Sequence, residues 1–277
     1  MKKTVVLYHA DCTDGFTAAW AAHKKLRRSA DYIPVFHQMP PPEGLIDKEI
    51  YTLDFTYPRK VTERLIADNV RVTSIDHHAI MRDVIVLTRD GVFDNDHSGA
   101  SLAWTFFNPG QPVPLLVRIV EDWDLNRLIL PETLPVFDWL MLSNFEFKAF
   151  DKVSRTLESK SGLRRAIRQG SLLRTYRERQ VRTIIERDAY EVDFDGYKVL
   201  AVTTEIYHHE VGTMLAEGRP FGLTWRAGRD GIHVSMRSKG IVDVAALAAK
   251  YGGSGHANAA GFTVPALADL PFKTTHD

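Results

Sequence analysis

Within the first 78 residues, three short apolar runs each stop at an acidic residue: T-V-V-L-Y-H-A-D, E-I-Y-T-L-D and V-R-V-T-S-I-D-H-H. This repetition constrains the fold more than any other feature of the chain. Runs of this length and β-branched character read as strands. Between them, G-F-T-A-A-W-A-A-H-K-K-L-R-R and residues 58–68 carry a helical period. Strands alternating with helices predict a parallel sheet in an α/β domain. The acids then fall at strand ends along one sheet edge, where α/β proteins build their sites.

The same reading places strands at 3–8, 31–35, 49–54 and 70–75, and a further strand at D-V-I-V-L. Helices follow after the capping Ser98 and over L-L-V-R-I-V-E-D-W-D. Residues from about 130 to 190 have helical periodicity, with a break expected at Gly170. A second α/β unit starts near Tyr190 and closes on the glycine-rich loop G-G-S-G-H-A-N-A-A-G-F. The expected organisation is a domain over 1–150, a helical linker over 151–189 and a smaller α/β domain over 190–277. The active site is expected in the cleft between the two domains.

His9, Asp11 and Asp14 follow the first run, Asp54 ends the second, and Asp76, His77 and His78 close the third. Carboxylates and imidazoles gathered in this way have the composition of a two-metal site. Any one Asp or His after a strand is more ordinarily a cap or turn former. Three separate strand ends with the same chemistry make capping a poor explanation for the set. Asp122 and Asp124 sit near the end of a later helix and offer a fourth acid.

Lys+Arg and Asp+Glu both total 35, so an anionic partner has to be held locally rather than by net charge. Eight arginines between 163 and 187 read first as a solvated helix face, with a basic wall beside a nucleic acid as the alternative. The single Cys12 excludes an internal disulfide and reads as a small packing residue. The absence of a signal-peptide core or a long apolar stretch points to a cytoplasmic protein with no membrane partner.

Taken together, H-A-D-C-T-D-G, L-D-F-T, S-I-D-H-H, V-E-D-W-D and G-G-S-G-H-A-N-A-A-G-F resemble the motifs of the DHH phosphoesterase superfamily with its associated C-terminal domain, in the family's order. That superfamily includes RecJ-like exonucleases, nano-RNases and pyrophosphatases. The resemblance implies a parallel-sheet catalytic domain binding two divalent ions, with manganese expected and magnesium or cobalt as substitutes. The implied ligands are His9, Asp11, Asp14, Asp54, Asp76, His77 and Asp122, with Asp76 or Asp54 bridging. Asp124 is the alternative to Asp122. His78 would face the substrate phosphate, and Arg237, Gly253, Gly255 and His256 would hold the substrate. The first motif departs from the usual pattern, because Cys12 and Thr13 both separate its two acids where many members have one residue.

The function implied is phosphodiester hydrolysis on short single-stranded oligonucleotides or small nucleotides. The alternatives are a phosphomonoesterase or pyrophosphatase, and a nucleotide-binding regulator without catalysis. The sequence leaves the oligomeric state open, a homodimer included.

Overall fold

The computed structural model describes residues 1–36 and 39–272, apart from the side chains of Ser254 and His256. The chain forms two compact units, Met1–Arg174 and Thr175–Asp277.

The first unit runs β1 (Thr4–His9), α1 (Thr13–Leu26), β2 (Ala30–Val35), β3 (Glu49–Leu53), α2 (Arg59–Asp68), β4 (Arg71–Asp76), α3 (Arg82–Ile85), β5 (Val92–Phe93), α4 (Gly99–Phe107), α5 (Leu115–Asp124), α6 (Thr133–Leu140) and α7 (Phe147–Leu157). Its five strands pair in the order β2-β1-β3-β4-β5, all parallel. Both faces are covered, as an all-parallel sheet requires. Val5, Leu7, Ile50 and Val72 pack with Leu65 of α2 on one side. Val6, Leu53 and Ile75 join α1, α4 and α5 on the other. This dual burial explains why V-V-L reads as a continuous apolar run rather than an alternating one. α1 is buried on every side from Thr13 to Ala22, which its small residues allow, and Trp20 stacks on Trp104 of α4 at 5.6 Å.

D-V-I-V-L is not a strand. Arg82–Ile85 is a short helix whose Val84 and Ile85 are buried while Val86 is 71% exposed. The run therefore buries one face of a turn, and the edge strand is Val92–Phe93, paired to β4.

α8 (Lys160–Asp188) is a single helix through Gly170. A Cβ at Gly170 would lie 1.7 Å from the carbonyl oxygen of Pro135, so glycine is needed there for the close approach of α6. Three of its arginines pair with acids: Arg174 with Asp138 at 4.0 Å, Arg177 with Glu210 at 3.3 Å and Arg187 with Asp188 at 2.7 Å.

The second unit comprises β6 (Tyr190–Phe194), β7 (Tyr197–Thr203), α9 (His208–Leu215), β8 (Gly222–Gly228), β9 (Gly231–Arg237), α10 (Val244–Ala249), β10 (Ser254–His256) and β11 (Ala259–Val264). Its sheet has the order β10-β11-β9-β8-β7-β6, antiparallel except for β7 with β8. The expected glycine-rich loop is here a hairpin, β10 to β11. A Cβ at Gly253 would meet the Gly261 carbonyl oxygen at 2.2 Å, and Gly255 has φ +148°. These glycines are required by strand contact and backbone shape.

Among the described residues no helix is long and apolar enough to cross a membrane.

Candidate metal centre

The order β2-β1-β3-β4-β5 reverses direction between β1 and β3, so the carboxyl ends of those strands flank the crevice where an open α/β sheet takes ligands. The acids and histidines converge here. His9 is the last residue of β1, Asp14 lies in the first turn of α1, Asp54 follows β3, and Asp76-His77-His78 spans the end of β4.

Asp54 is central. It is 1% exposed and its backbone is left-handed, with φ +61°, a conformation that Asp tolerates at a cost of about 1 kcal/mol or more. One carboxylate oxygen lies 3.4 Å from His9 Nδ1, and the other lies 3.3 Å from His77 Nε2, outside hydrogen-bond geometry. His77 Nε2 is in turn 3.7 Å from Asp124. Three overlapping groups have ligand atoms within 4.8 Å of one another: His9, Cys12 and Asp54; Asp54, His77 and His78; Asp14, His77 and Asp124.

Asp14 is held by α4, whose Ala100 N–H donates to Asp14 Oδ1 at 3.1 Å. The preceding Gly99 presses on both acids, since a Cβ there would meet Asp54 Cβ at 2.6 Å and Asp14 Oδ2 at 2.8 Å. Sequence reasoning took only Ser98 from this segment, as the helix cap. Ser98 does accept from Ser101 N–H, but the small residue after it is what lets the helix end reach the carboxylates.

Asp76 is fully buried and anchors His78: the His78 N–H donates to Asp76 Oδ1 at 3.1 Å, and His78 Nδ1 lies 2.7 Å from the same oxygen. This bond, outweighing burial, pushes the His78 imidazole up to about 9. Burial first, then the charges of Asp54 and Asp124, push Asp14 well above the usual carboxylate range. Burial and Asp54 likewise raise Asp124 to about 6. Burial opposes ionisation of Asp54 too, but the His77 and His9 imidazoles outweigh it and hold that carboxyl low. Burial and the Asp54 and Asp14 charges push the Cys12 thiol up.

The donor set suits a divalent cation. Asp14 Oδ2, Asp54 Oδ1 and Asp76 Oδ2 are buried without a hydrogen-bond partner. Asp14 and Asp54 both belong to the ligand groups above, and their orphaned oxygens carry a desolvation penalty that a cation would offset.

Three expected ligands belong to none of these groups: Asp76, which is turned to His78, and Asp11 and Asp122. Asp11 is exposed in the turn after β1, at φ +51°. Asp122 is 4% exposed, and its carboxylate accepts from Ile129 N–H at 3.0 Å, Leu130 N–H at 3.1 Å and the Thr133 hydroxyl. Those donors outweigh burial and hold Asp122 low. Asp122 thus fastens the segment after α5, while Asp124, two residues on, faces His77. Asp122→Asn is therefore expected to lower stability by about 1–3 kcal/mol with metal uptake intact. Asp124→Ala should lose the ion it shares with Asp14 and His77 at little cost to folding. Metal stoichiometry and thermal melts of both variants check this; the opposite pattern would return the ligand role to Asp122.

In the second unit, Arg237 Nε donates to His209 Nδ1 at 3.1 Å, and Nη1 donates to Ser235 Oγ at 2.9 Å and Met236 O at 2.8 Å. Its head is thus fixed by three groups, one of them a histidine that lies outside every sequence motif. Gly253 and Gly255 lie at the start of the hairpin. His256 belongs to β10, and its side chain lies outside the described residues.

No family model matches the sequence. The chain is 26% identical over 300 residues to the uncharacterized protein R106 of Acanthamoeba polyphaga mimivirus, covering 99% of this chain and 70% of R106. Among solved structures, the DHH domain of PF0399, a member of a family of ribosomal proteins, is similar with a TM-score of 0.61 and 14% identity, over 95% of this chain and 82% of that one. The pGpG-specific phosphodiesterase PggH of Vibrio cholerae matches with a TM-score of 0.51 and 14% identity, over 95% and 94%. RecJ of Thermus thermophilus in complex with Mn2+ matches with a TM-score of 0.50 and 18% identity, over 95% of this chain and 49% of RecJ. At these identities the likeness is one of architecture: this chain shares the fold of these DHH-domain, PggH and RecJ structures.

Proposed function

We propose that this protein is a metal-dependent phosphoesterase that hydrolyses phosphodiester bonds of short oligonucleotides or small nucleotides. The observation that carries the reading is the pair of buried, unpartnered carboxylate oxygens on Asp14 and Asp54, two residues whose ligand groups also take in His9, His77 and Asp124. Similar folds occur in a pGpG-specific phosphodiesterase and in a RecJ that holds Mn2+, which favours a nucleotide substrate and manganese.

His9, Asp14, Asp54, His77 and Asp124 would hold two divalent ions; Asp54 turns one oxygen toward His9 and the other toward His77. When bound, such ions supply Lewis acidity, lowering the pKa of a nucleophilic water and neutralising charge at phosphorus. His78 is the proton-bearing group. Asp76 fixes Nδ1 as its anchored nitrogen, and its raised pKa keeps the ring cationic at neutral pH, suited to donate a hydrogen bond to a phosphoryl oxygen or a proton to the departing alkoxide. The Asp76 carboxylate orients the ring and stabilises its cationic form without taking its proton. Arg237 is a fixed cation suited to an anionic ligand.

The test is hydrolysis by purified protein, with and without Mn2+, of a dinucleotide, a five-residue RNA, a longer single-stranded DNA, a cyclic dinucleotide, 3′-phosphoadenosine 5′-phosphate and pyrophosphate, with Asp76→Ala as control. Metal-dependent turnover of a short nucleotide, lost in the variant, is expected. Pyrophosphate turnover alone would move the assignment to a pyrophosphatase. Metal uptake without turnover of any substrate would make the protein a binding regulator.

A further inference from the structure

The mechanism above gives no role to Cys12, the one cysteine of the chain. Yet its Sγ, a ring nitrogen of His9 and a carboxylate oxygen of Asp54 all lie within 4.8 Å of one another. Donors about 2.0–2.3 Å from one ion can be at most roughly twice that apart, so these three atoms can close around a single cation with small adjustment. Cys12 is the N-cap residue of α1, but its side chain makes no capping hydrogen bond. It stands instead at the positive end of a 14-residue helix, and since burial and the neighbouring carboxylates hold the thiol protonated in the metal-free protein, its ionisation is tied to the arrival of a cation. Asp54, 1% exposed, turns its two oxygens to different neighbours, Oδ2 to His9 Nδ1 at 3.4 Å and the unpartnered Oδ1 to His77 Nε2 at 3.3 Å, so it can serve the Cys12–His9 side with one oxygen while the other stays free for the second position.

We propose that Cys12 binds, as thiolate, the ion shared with His9 and Asp54. The centre then has one sulfur-containing position and a second built from oxygen and nitrogen alone, on Asp14, Asp54, His77 and Asp124. The inference rests on the metal-centre reading above and extends it to selectivity. As the sulfur–metal bond forms, the thiol proton leaves to solvent, and no oxidant is involved. A soft donor shifts preference toward cobalt, zinc or cadmium, while the second position remains suited to manganese or magnesium. Two different divalent ions are thus expected to occupy the two positions when both kinds are supplied.

Cobalt titration of the metal-free full-length protein, followed by absorption spectroscopy, decides the point without reference to activity. The wild type should develop a sulfur-to-cobalt charge-transfer band in the near ultraviolet together with visible ligand-field bands. Cys12→Ser should lose the first and keep the second, while Asp124→Ala should keep the charge-transfer band. Cys12→Asp, which restores a hard ligand, should keep two bound ions but lower cadmium affinity relative to manganese by about tenfold or more. Ligand-field bands without a charge-transfer band in the wild type would overturn the Cys12 assignment and leave the metal centre standing. No cobalt uptake at all would overturn both.

Discussion

Asp54→Ala is expected to abolish hydrolysis, with turnover down by about three orders of magnitude or more, and to bring metal stoichiometry to zero rather than to half. Every other candidate ligand apart from His77 belongs to one group of ligand atoms, whereas Asp54 belongs to two and turns a different oxygen toward His9 and His77. Removing it takes a ligand from each position at once. Activation of water and neutralisation of phosphoryl charge are each worth several kcal/mol, and each 1.36 kcal/mol is tenfold in rate. The fold should survive, because loss of this carboxylate also removes a like charge from beside buried Asp14. Metal analysis, circular dichroism and turnover on the best substrate of the panel would check it. A folded Asp54→Ala protein with activity within tenfold of wild type would remove Asp54 from the centre of the mechanism.

Much of this site is legible in the sequence because strand ends are legible. V-V-L-Y-H, I-Y-T-L-D and T-S-I-D-H-H are largely buried runs of neighbouring parallel strands, so their C-terminal residues must emerge together on one edge of the sheet. Helix ends are less informative. At the end of α5, Asp122 and Asp124 are separated by two residues and differ by about 200° in direction. Which of them faces the sheet depends on where α5 docks, and the donors that claim Asp122 come from Ile129 and Leu130 in a loop with no pattern of its own and from Thr133 at the start of α6. Asp11 illustrates a second limit. One extra residue in the turn after β1 rotates the acid toward solvent and leaves Cys12 beside His9. Gly99 is a third case, since the need for a missing Cβ arises from two carboxylates contributed by distant segments. The strand misread at D-V-I-V-L has the same origin: five apolar-rich residues fit a buried strand or one turn of helix equally well, and only the exposure of Val86 separates them.

In the metal-free protein the cluster of Asp14, Asp124 and His78 is expected to contribute less and less stability as pH rises from about 4 to about 9, opposed only as pH approaches 6.5 by His23, His208 and His209, whose pKa values burial lowers. Asp124 has its pKa raised from 3.8 to about 6 in the fold, so between those values the folded state binds more protons than the unfolded chain. By linkage, stability must fall as pH rises through that window, and Asp14, raised in the same direction, adds to the slope. His78 continues the trend. Its pKa is raised from 6.5 to about 9, so its contribution is fully present below about 6.5 and is lost as pH climbs to about 9. Two units at Asp124 correspond to a total on the order of 3 kcal/mol. Asp54, held low, adds stability above its unfolded value of 3.8 and loses it only under more acid conditions, so it does not reverse the slope in this window. Divalent metal should do the reverse, because ionised carboxylates bind it best and its stabilisation therefore grows with pH. Thermal melts in chelator and in excess Mn2+ should accordingly diverge, close together near pH 4 and widely separated near pH 8. Asp124→Asn should flatten the lower part of the chelator curve and shrink the gap. A chelator curve that rises between about pH 4 and pH 6 would mean that these carboxylates do not crowd one another, and the cluster would lose its electrostatic reason to hold a cation.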